Sequence, residues 1–373
     1  MKYDKFFSAD VPSFMRSPVR EIFKKVDLAA IYSFAGGYPD AATFPIEDIR
    51  RISALVLEKY GAKALQYGAT QGVPELREVV ARRYGVPVEN VQITTSSQQG
   101  IDVCTRVFVN PGDVVLTTAP TYLGALQSFK SYRADVRILG CEVAGRVKFC
   151  YVIPDFQNPS GETMTLEERE KLVALAREQD FLIVEDSPYR ELRYSGEPVP
   201  TIYSLAPERT IHLGSFSKIF APGFRLGWML GPVELLDQIY VCKQSLDLCP
   251  PILDQYMAAE FMGSGALDAN LQKSIALYRT KRDKMLALLE QYMPKGVSWT
   301  HPEGGLFLFL TLPEGFDTVA LYDRALSAGV AYVAGSFFYP DGSHRNTMRL
   351  NFSFLDASRM EAGIKLLAEV INK

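Results

Sequence analysis

Gly214-Ser215-Phe216-Ser217-Lys218-Ile219-Phe220-Ala221-Pro222-Gly223-Phe224-Arg225-Leu226-Gly227-Trp228 is the most informative run in this chain. A β-branched and apolar stretch over 210–216 reads as a strand, and another over 226–230 follows closely. Between them stand the hydroxyls of Ser215 and Ser217, the amine of Lys218 and the guanidinium of Arg225. Hydroxyls and a guanidinium fork suit a phosphate dianion. A lysine partly desolvated in such a cluster has a lowered pKa, and its amine becomes nucleophilic toward an aldehyde. Most Ser-x-Ser-Lys strings are polar loops with a solvated lysine; the Ala221-Pro222-Gly223 turn and the Arg225-x-Gly227 step set this one apart.

Moving outward, further strand-like runs fall at 91–97, 114–119, 136–143, 149–154 and 181–186, with helical patterns such as 166–179 between several of them. This alternation predicts an α/β domain with a mostly parallel sheet. Asn110-Pro111-Gly112-Asp113 is turn chemistry between a helix and the next strand. After about residue 268 the character changes: 270–292 reads as one long helix, with Leu271, Ile275, Tyr278, Met285, Leu289 and Tyr292 near helical spacing. The segments 305–312 and 348–354 then alternate like strands of a smaller α+β domain. The chain therefore divides into a large domain over 34–268 and a small one built from 1–33 and 269–373, with a short helix at 18–25.

Composition narrows the function classes. Hydrophobic residues make up 47% of the 373 positions and charged residues 22%, enough for a sizeable core. The formal net charge of -3 argues against nucleic acid as the main partner. Met1 is followed by Lys2, Tyr3, Asp4 and Lys5 rather than an apolar leader, and no run approaches the ~20 apolar residues of a membrane span. Cytoplasmic residence is the expectation. The five cysteines form no CxxC pair and the three histidines are far apart, which speaks against a disulfide framework, a metal site or a Ser-His-Asp mechanism.

Other candidate residues stand at strand ends. Asp186 ends the strand that carries the apolar run Phe181-Leu182-Ile183-Val184 and either caps the next turn or pairs with a protonated pyridine nitrogen, keeping that ring an electron sink. Tyr189 then stands close enough to place a phenol against the ring's 3-oxygen. Thr95-Ser96-Ser97-Gln98-Gln99-Gly100 opens a helix, where Ser97 is a plain cap or the backbone receives a phosphate. Tyr122 is placed to stack on a flat cofactor. Asn158, in an Asn-Pro turn, is a turn residue or a donor to the ring oxygen and the substrate carboxylate. Ser97, Tyr122, Asn158, Asp186 and Ser215 each follow a different predicted strand, and ligands of open parallel sheets collect at that edge. Arg349 is either a surface ion-pair residue or a fork for an α-carboxylate, and Phe34-Ala35-Gly36-Gly37-Tyr38-Pro39 is a tight turn with exposed backbone.

Assembled in this order, the motifs resemble the fold type I, pyridoxal-phosphate-dependent aminotransferases of class I/II, most closely the branch of 2-aminoadipate, kynurenine, aromatic and branched-chain aminotransferases. The resemblance runs from about Ser33 to the C-terminus. It is carried by 34–40, Tyr67-Gly68, 72–77, 97–99, 110–113, 120–122, 157–161, 185–189, 214–218, 302–307 and 349–352. It implies a mostly parallel, seven-stranded mixed sheet with helices on both faces, plus the smaller α+β domain. It implies that Lys218 binds the cofactor aldehyde and shuttles the proton, that Asp186 pairs with the ring nitrogen, and that Asn158 and Tyr189 bond the 3-oxygen. Tyr122 would stack on the ring, while Ser97, Gln98, Ser215, Ser217 and Arg225 would hold the phosphate. Arg349, Asn158 and the Gly37 backbone would bind the α-carboxylate. Tyr67 would reach the phosphate of a partner subunit, so the active unit would be a homodimer. The reaction implied is ping-pong transamination between an amino acid and a 2-oxo acid, with 2-oxoglutarate as acceptor.

One departure bears on specificity. Where aminoadipate-type members carry an early arginine for a distal carboxylate, the comparable position here holds Ser13, with Arg16 displaced by about one helical turn. Phe14, Met15 and Tyr32 favour aromatic or aliphatic side chains instead. A β-lyase acting on cysteine conjugates would use the same residues. A regulator with this fold as its sensing domain would need a DNA-binding domain ahead of it, where about 33 residues precede the first matching motif.

Overall fold

The structure, a computed structural model, describes residues 3–8, 11, 14, 31–143 and 145–372. The sequence-based helix at 18–25 lies outside the described residues, as do Ser13, Met15 and Arg16.

Seven strands form the large sheet: β1 (Val91–Thr94), β2 (Val114–Thr117), β3 (Asp135–Ile138), β4 (Val147–Val152), β5 (Leu182–Asp186), β6 (Thr210–Ser215) and β7 (Gly227–Leu230). Their spatial order is β1-β7-β6-β5-β4-β2-β3. Only β7 runs antiparallel to its neighbours. Alternate residues sort to opposite faces. Val115, Phe149, Tyr151, Val184 and Leu213 pack with Ile101, Cys104 and Phe129 from the helices Ser96–Phe108 and Leu123–Ser131. Leu116, Cys150, Val152 and Ile183 pack on the other face with Leu172, Val173 and Ala176 from Leu166–Glu178. Both faces are covered, so the strands are near-continuous apolar runs. Leu166–Glu178 starts on a capping box, with Thr165 Oγ accepting from Glu168 N–H and the Glu168 carboxylate accepting from Thr165 N–H.

The expected strand at 91–97 stops at Thr94 because Ser96 already begins a helix. The expected strand at 136–143 ends at Ile138. The long helix spans Ala266–Tyr292. A smaller antiparallel sheet has the order Val333–Ala334, Thr347–Asn351, Phe307–Thr311, Ser298–Trp299. Near the N-terminus, Tyr32–Ser33 pairs in parallel with Val330–Ala331, joining the early chain to the C-terminal part. One apolar cluster runs continuously from Phe34 and Ile52 through Trp228 and Tyr278 to Leu350 and Ile371.

Candidate functional site

The carboxyl ends of β1, β2, β4, β5 and β6 share one sheet edge, and a cavity of about 780 Å³ opens there. Antiparallel β7 begins at the same edge, its Gly227 standing opposite both Thr94 and Ser215. A Cβ at Gly227 would lie 2.7 Å from Gly214 O, 2.8 Å from Ser96 C and 2.9 Å from Ser97 N. Real Cβ atoms do not come that close, so glycine lets the turn after β1 pack flat on β7. Gly214 makes the matching space for the Trp228 indole.

Arg225 and the hydroxyls of Ser96 and Ser215 stand around this junction. Arg225 Nη2 donates to Ser96 Oγ at 2.7 Å, and both residues have positive φ, 52° and 70°. Ser96 opens the helix Ser96–Phe108, whose N-cap Thr95 makes no side-chain cap hydrogen bond, and Ser96, Ser97 and Gln98 of its first turn line the cavity. Ser215 Oγ accepts from the Ser217 backbone N–H at 3.1 Å. Gln98 Nε2 donates to Gly124 O at 3.2 Å, binding this turn to the one that carries Tyr122. Ser97 lines the cavity with its side chain beside the Asp186 carboxyl, and the hydroxyl that meets Arg225 belongs to Ser96. The left-handed φ at Ser96 turns the chain so that adjacent hydroxyls point to different partners.

Lys218 Nζ donates to Gly37 O at 2.8 Å. Burial pushes its amine down to about 8, and the positive charges of Arg225 and Arg349 press the same way. Asp186 ends β5 and is buried. Its Oδ2 accepts from the Tyr151 hydroxyl at 2.7 Å, while Oδ1 has no hydrogen-bond partner among the described residues. Burial raises this carboxyl to about 6 against the Tyr151 hydrogen bond, the charge of His212 and the nearby Ser97, all of which lower it. A buried acceptor left unpaired is costly, so the site asks for a donor there.

Arg349 enters from Thr347–Asn351, with Nη1 donating to Asn158 Oδ1 at 2.7 Å and Nη2 to Ala35 O at 2.6 Å. Its guanidinium lies 4.2 Å from the Phe307 ring centroid and 5.1 Å from that of Phe338. Burial lowers it to about 10, opposed by the Tyr189 and Tyr122 hydroxyls, and its Nε has no hydrogen-bond partner among the described residues. Burial raises the Tyr189 phenol, with Asn158 alongside it. The loop carrying Asn158 is anchored from behind. Asp155 accepts from Arg169 and Arg190, each at 2.8 Å, in a nearly solvent-free pair with Arg169. Gln157 Nε2 ties the same loop to Pro120 O at 2.7 Å, next to Tyr122. Removing one partner of such a buried pair leaves an uncompensated charge.

Ser97, Gln98, Tyr122, Asn158, Asp186, Tyr189, Ser215, Ser217, Lys218, Arg225, Gly37 and Arg349 thus all line one cavity. Tyr67 does not. It is 78% exposed beside a surface groove formed with Leu65 and Cys249–Leu253. Tyr32 also lies elsewhere, under the Arg359 guanidinium, because its strand pairs away from the cavity. Phe14 does line the cavity. Sequence reasoning missed Ser96, Tyr151, the Ala35 carbonyl and the Phe307–Phe338 sandwich around Arg349. Among the described residues, no cluster of His, Cys, Asp or Glu is arranged to hold a metal, and no helix is long and apolar enough to cross a membrane.

This donor set fits a phosphorylated aromatic aldehyde. The unpartnered Asp186 Oδ1 calls for a protonated ring nitrogen. The Ser96 turn with Arg225 suits an anion, and Lys218 carries an amine largely freed of its proton above pH 8.

The family model for aminotransferase class I and II matches residues 35–367. An aromatic-amino-acid aminotransferase from Thermococcus litoralis is 44% identical, covering 100% of this chain and 95% of that protein. A kynurenine aminotransferase from Pyrococcus horikoshii, solved in complex with PMP, KYN and KYA, superposes with a TM-score of 0.95 at 44% identity, over 100% of this chain and 98% of that one. LysN, an alpha-aminoadipate aminotransferase from Thermus thermophilus complexed with N-(5'-phosphopyridoxyl)-L-leucine, superposes at 0.93 with 34% identity and the same coverage.

Proposed function

The chain belongs to the class I and II aminotransferases, pyridoxal-phosphate-dependent enzymes of fold type I, and from that premise we propose how its residues divide the work and which substrates it takes. The reading is a transaminase for amino acids with aromatic or large aliphatic side chains, with 2-oxoglutarate as acceptor. The observation that carries it is Lys218: a cavity-facing amine depressed to about 8, in one pocket with the unpartnered Asp186 Oδ1 and the Arg349 fork.

When bound, pyridoxal phosphate supplies an aldehyde for the amino group and a protonated ring that draws electrons from the substrate Cα–H bond. Asp186 Oδ1 accepts the ring nitrogen's proton in a hydrogen bond, with Tyr151 holding the other carboxylate oxygen. Asn158 and Tyr189 would hold the ring oxygen, and Tyr122 would offer its ring to the cofactor. Ser96, Arg225, Ser215, Ser217 and Gln98 hold the phosphate at the start of the helix Ser96–Phe108. Arg349 and Asn158 bind the substrate α-carboxylate, which exchanges with their hydrogen bond to each other. Lys218 removes the proton at the substrate Cα and returns one on the other side of the transfer. Phe14, Tyr38, Phe307 and Phe338 give the substrate side chain an apolar surround. Among the described residues the cavity's lysines and arginines are Lys218, Arg225 and Arg349. The acceptor assignment is supported by the family resemblance rather than by a cavity residue. Tyr67, exposed beside an apolar groove, is the residue we assign to the phosphate of a partner subunit in a homodimer.

The test is a donor screen against 2-oxoglutarate, following the cofactor's absorbance. Phenylalanine, tyrosine, kynurenine and leucine are expected to outpace 2-aminoadipate and aspartate; the reverse order would refute the specificity. Lys218→Ala is expected to abolish steady-state turnover while leaving phosphate binding in place, and near-normal turnover would refute the catalytic assignment.

A further inference from the structure

Thr95, Gln99, Lys243 and Asp247 form a polar cluster behind the Ser96 turn, and none of the four lines the cavity. Asp247 is the last residue of the helix Val233–Asp247. Its Oδ2 accepts from Thr95 Oγ1 at 3.0 Å and from Gln99 Nε2 at 2.7 Å. Gln99 Oε1 in turn accepts from the Thr95 backbone N–H at 2.8 Å. Asp247 Oδ1 accepts from Lys243 Nζ at 2.9 Å, and the Lys243 side chain is 0% exposed. A buried ammonium that takes no part in the chemistry is costly and calls for another reason.

That reason lies one residue away. Ser96 has φ 70°, a region that side chains with a Cβ rarely adopt. Such a conformation persists where the surroundings over-determine it. Ser96 is held on every side. Thr94 Oγ1 donates to its carbonyl at 3.0 Å, Arg225 bonds its hydroxyl, Gly227 presses against its backbone, and Thr95 just before it is tethered twice.

We propose that Asp247 is a positioning residue for phosphate binding: neutralised by Lys243, it locks Thr95 and so fixes the left-handed turn at Ser96 that receives the cofactor phosphate. The proposal rests on the reading that this turn takes the phosphate. The residues that follow Asp247 reach the surface that carries Tyr67. The Leu248 carbonyl accepts from Thr70 Oγ1 at 2.6 Å, and Cys249–Leu253 line the groove beside Tyr67.

The experiment measures the affinity of the cofactor-free protein for pyridoxal 5'-phosphate and for pyridoxal, which lacks the phosphate. Asp247→Ala is expected to weaken the phosphorylated ligand about tenfold or more, and pyridoxal by less than about twofold. Glycine adopts positive φ freely, so in a Ser96→Gly background the Asp247→Ala loss is expected to shrink to less than about threefold. A merely structural role would leave that loss the same in both backgrounds. Thr95→Val, which removes one tether with shape kept, is expected to show the same split and serves if Asp247→Ala does not fold. Equal losses for both ligands, or an undiminished loss in the Ser96→Gly background, overturn the proposal. If the unaltered protein binds pyridoxal as tightly as its phosphate, the phosphate site itself is wrong, and the proposal falls with it.

Discussion

Reductive methylation of the cofactor-free protein, followed peptide by peptide as pH is raised, reads the ionisation of Lys218 directly. Formaldehyde and cyanoborohydride modify neutral amines, and formaldehyde is small enough for the cavity that Lys218 faces. Burial, together with Arg225 and Arg349, sets this amine at about 8. An unperturbed lysine titrates at about 10.4. At pH 7.5 about a quarter of Lys218 is then neutral, against roughly one part in a thousand of an ordinary lysine, a difference of about two-hundredfold. Access to the cavity scales the absolute rate but not the midpoint, so the midpoint is the quantity to measure. The rate at Lys218 is expected to climb about tenfold per pH unit and level off near 8, whereas N-acetyl-lysine amide levels off about two units higher. Unfolding in urea should return Lys218 to the amide's profile. Arg349→Met removes a neighbouring positive charge and should move the midpoint upward. A folded-state midpoint near 10 would refute the reasoning, because burial would then not be depressing the amine.

Three further outcomes follow from the geometry. Tyr151→Phe removes a buried hydrogen bond to a charged acceptor, a loss of about 1.5–3 kcal/mol; affinity for pyridoxal 5'-phosphate should fall about tenfold, while affinity for its 1-deaza analogue, which has no ring nitrogen, stays within about twofold. Equal losses for the two would show that Tyr151 does not act through Asp186. Arg349→Lys exchanges a fork for a point charge, so kcat/KM for amino donors should drop about tenfold to a hundredfold with cofactor affinity unchanged, measured by steady-state kinetics and cofactor titration. Gly214→Ala would put a Cβ 2.0 Å from the Trp228 ring, and urea denaturation should show about 1–3 kcal/mol of lost stability.

Residues that break an apolar run announced themselves in the sequence. Asp186 ends Leu182-Ile183-Val184-Glu185, Lys218 follows the strand ending at Ser215, and Arg349 interrupts Thr347–Asn351. In a parallel sheet the ends that carry Asp186 and Lys218 point to the same edge, so their convergence follows from the strand pattern, whereas Arg349 enters from the smaller antiparallel sheet. Tyr151 was hidden by the same logic, since in Val147–Val152 it reads as one more buried aromatic. Only the pairing of Tyr151 with Val184 sets it diagonal to Asp186, and register between strands is a long-range property. Ser96 and Ser97 differ in role through a single φ angle, which no composition or spacing encodes. The Phe307–Phe338 sandwich joins two segments of the smaller domain around an arginine from a third. Tyr67 is recognisable by its motif, yet it is exposed and stands apart from the cavity, where a strand-end argument does not reach.

Incubation with pyridoxal 5'-phosphate, borohydride reduction and peptide mass analysis addresses the covalent chemistry at its source. A single phosphopyridoxyl adduct on Lys218 is the expected result. Stoichiometric labelling at another lysine, or no adduct in folded protein, would contradict the account.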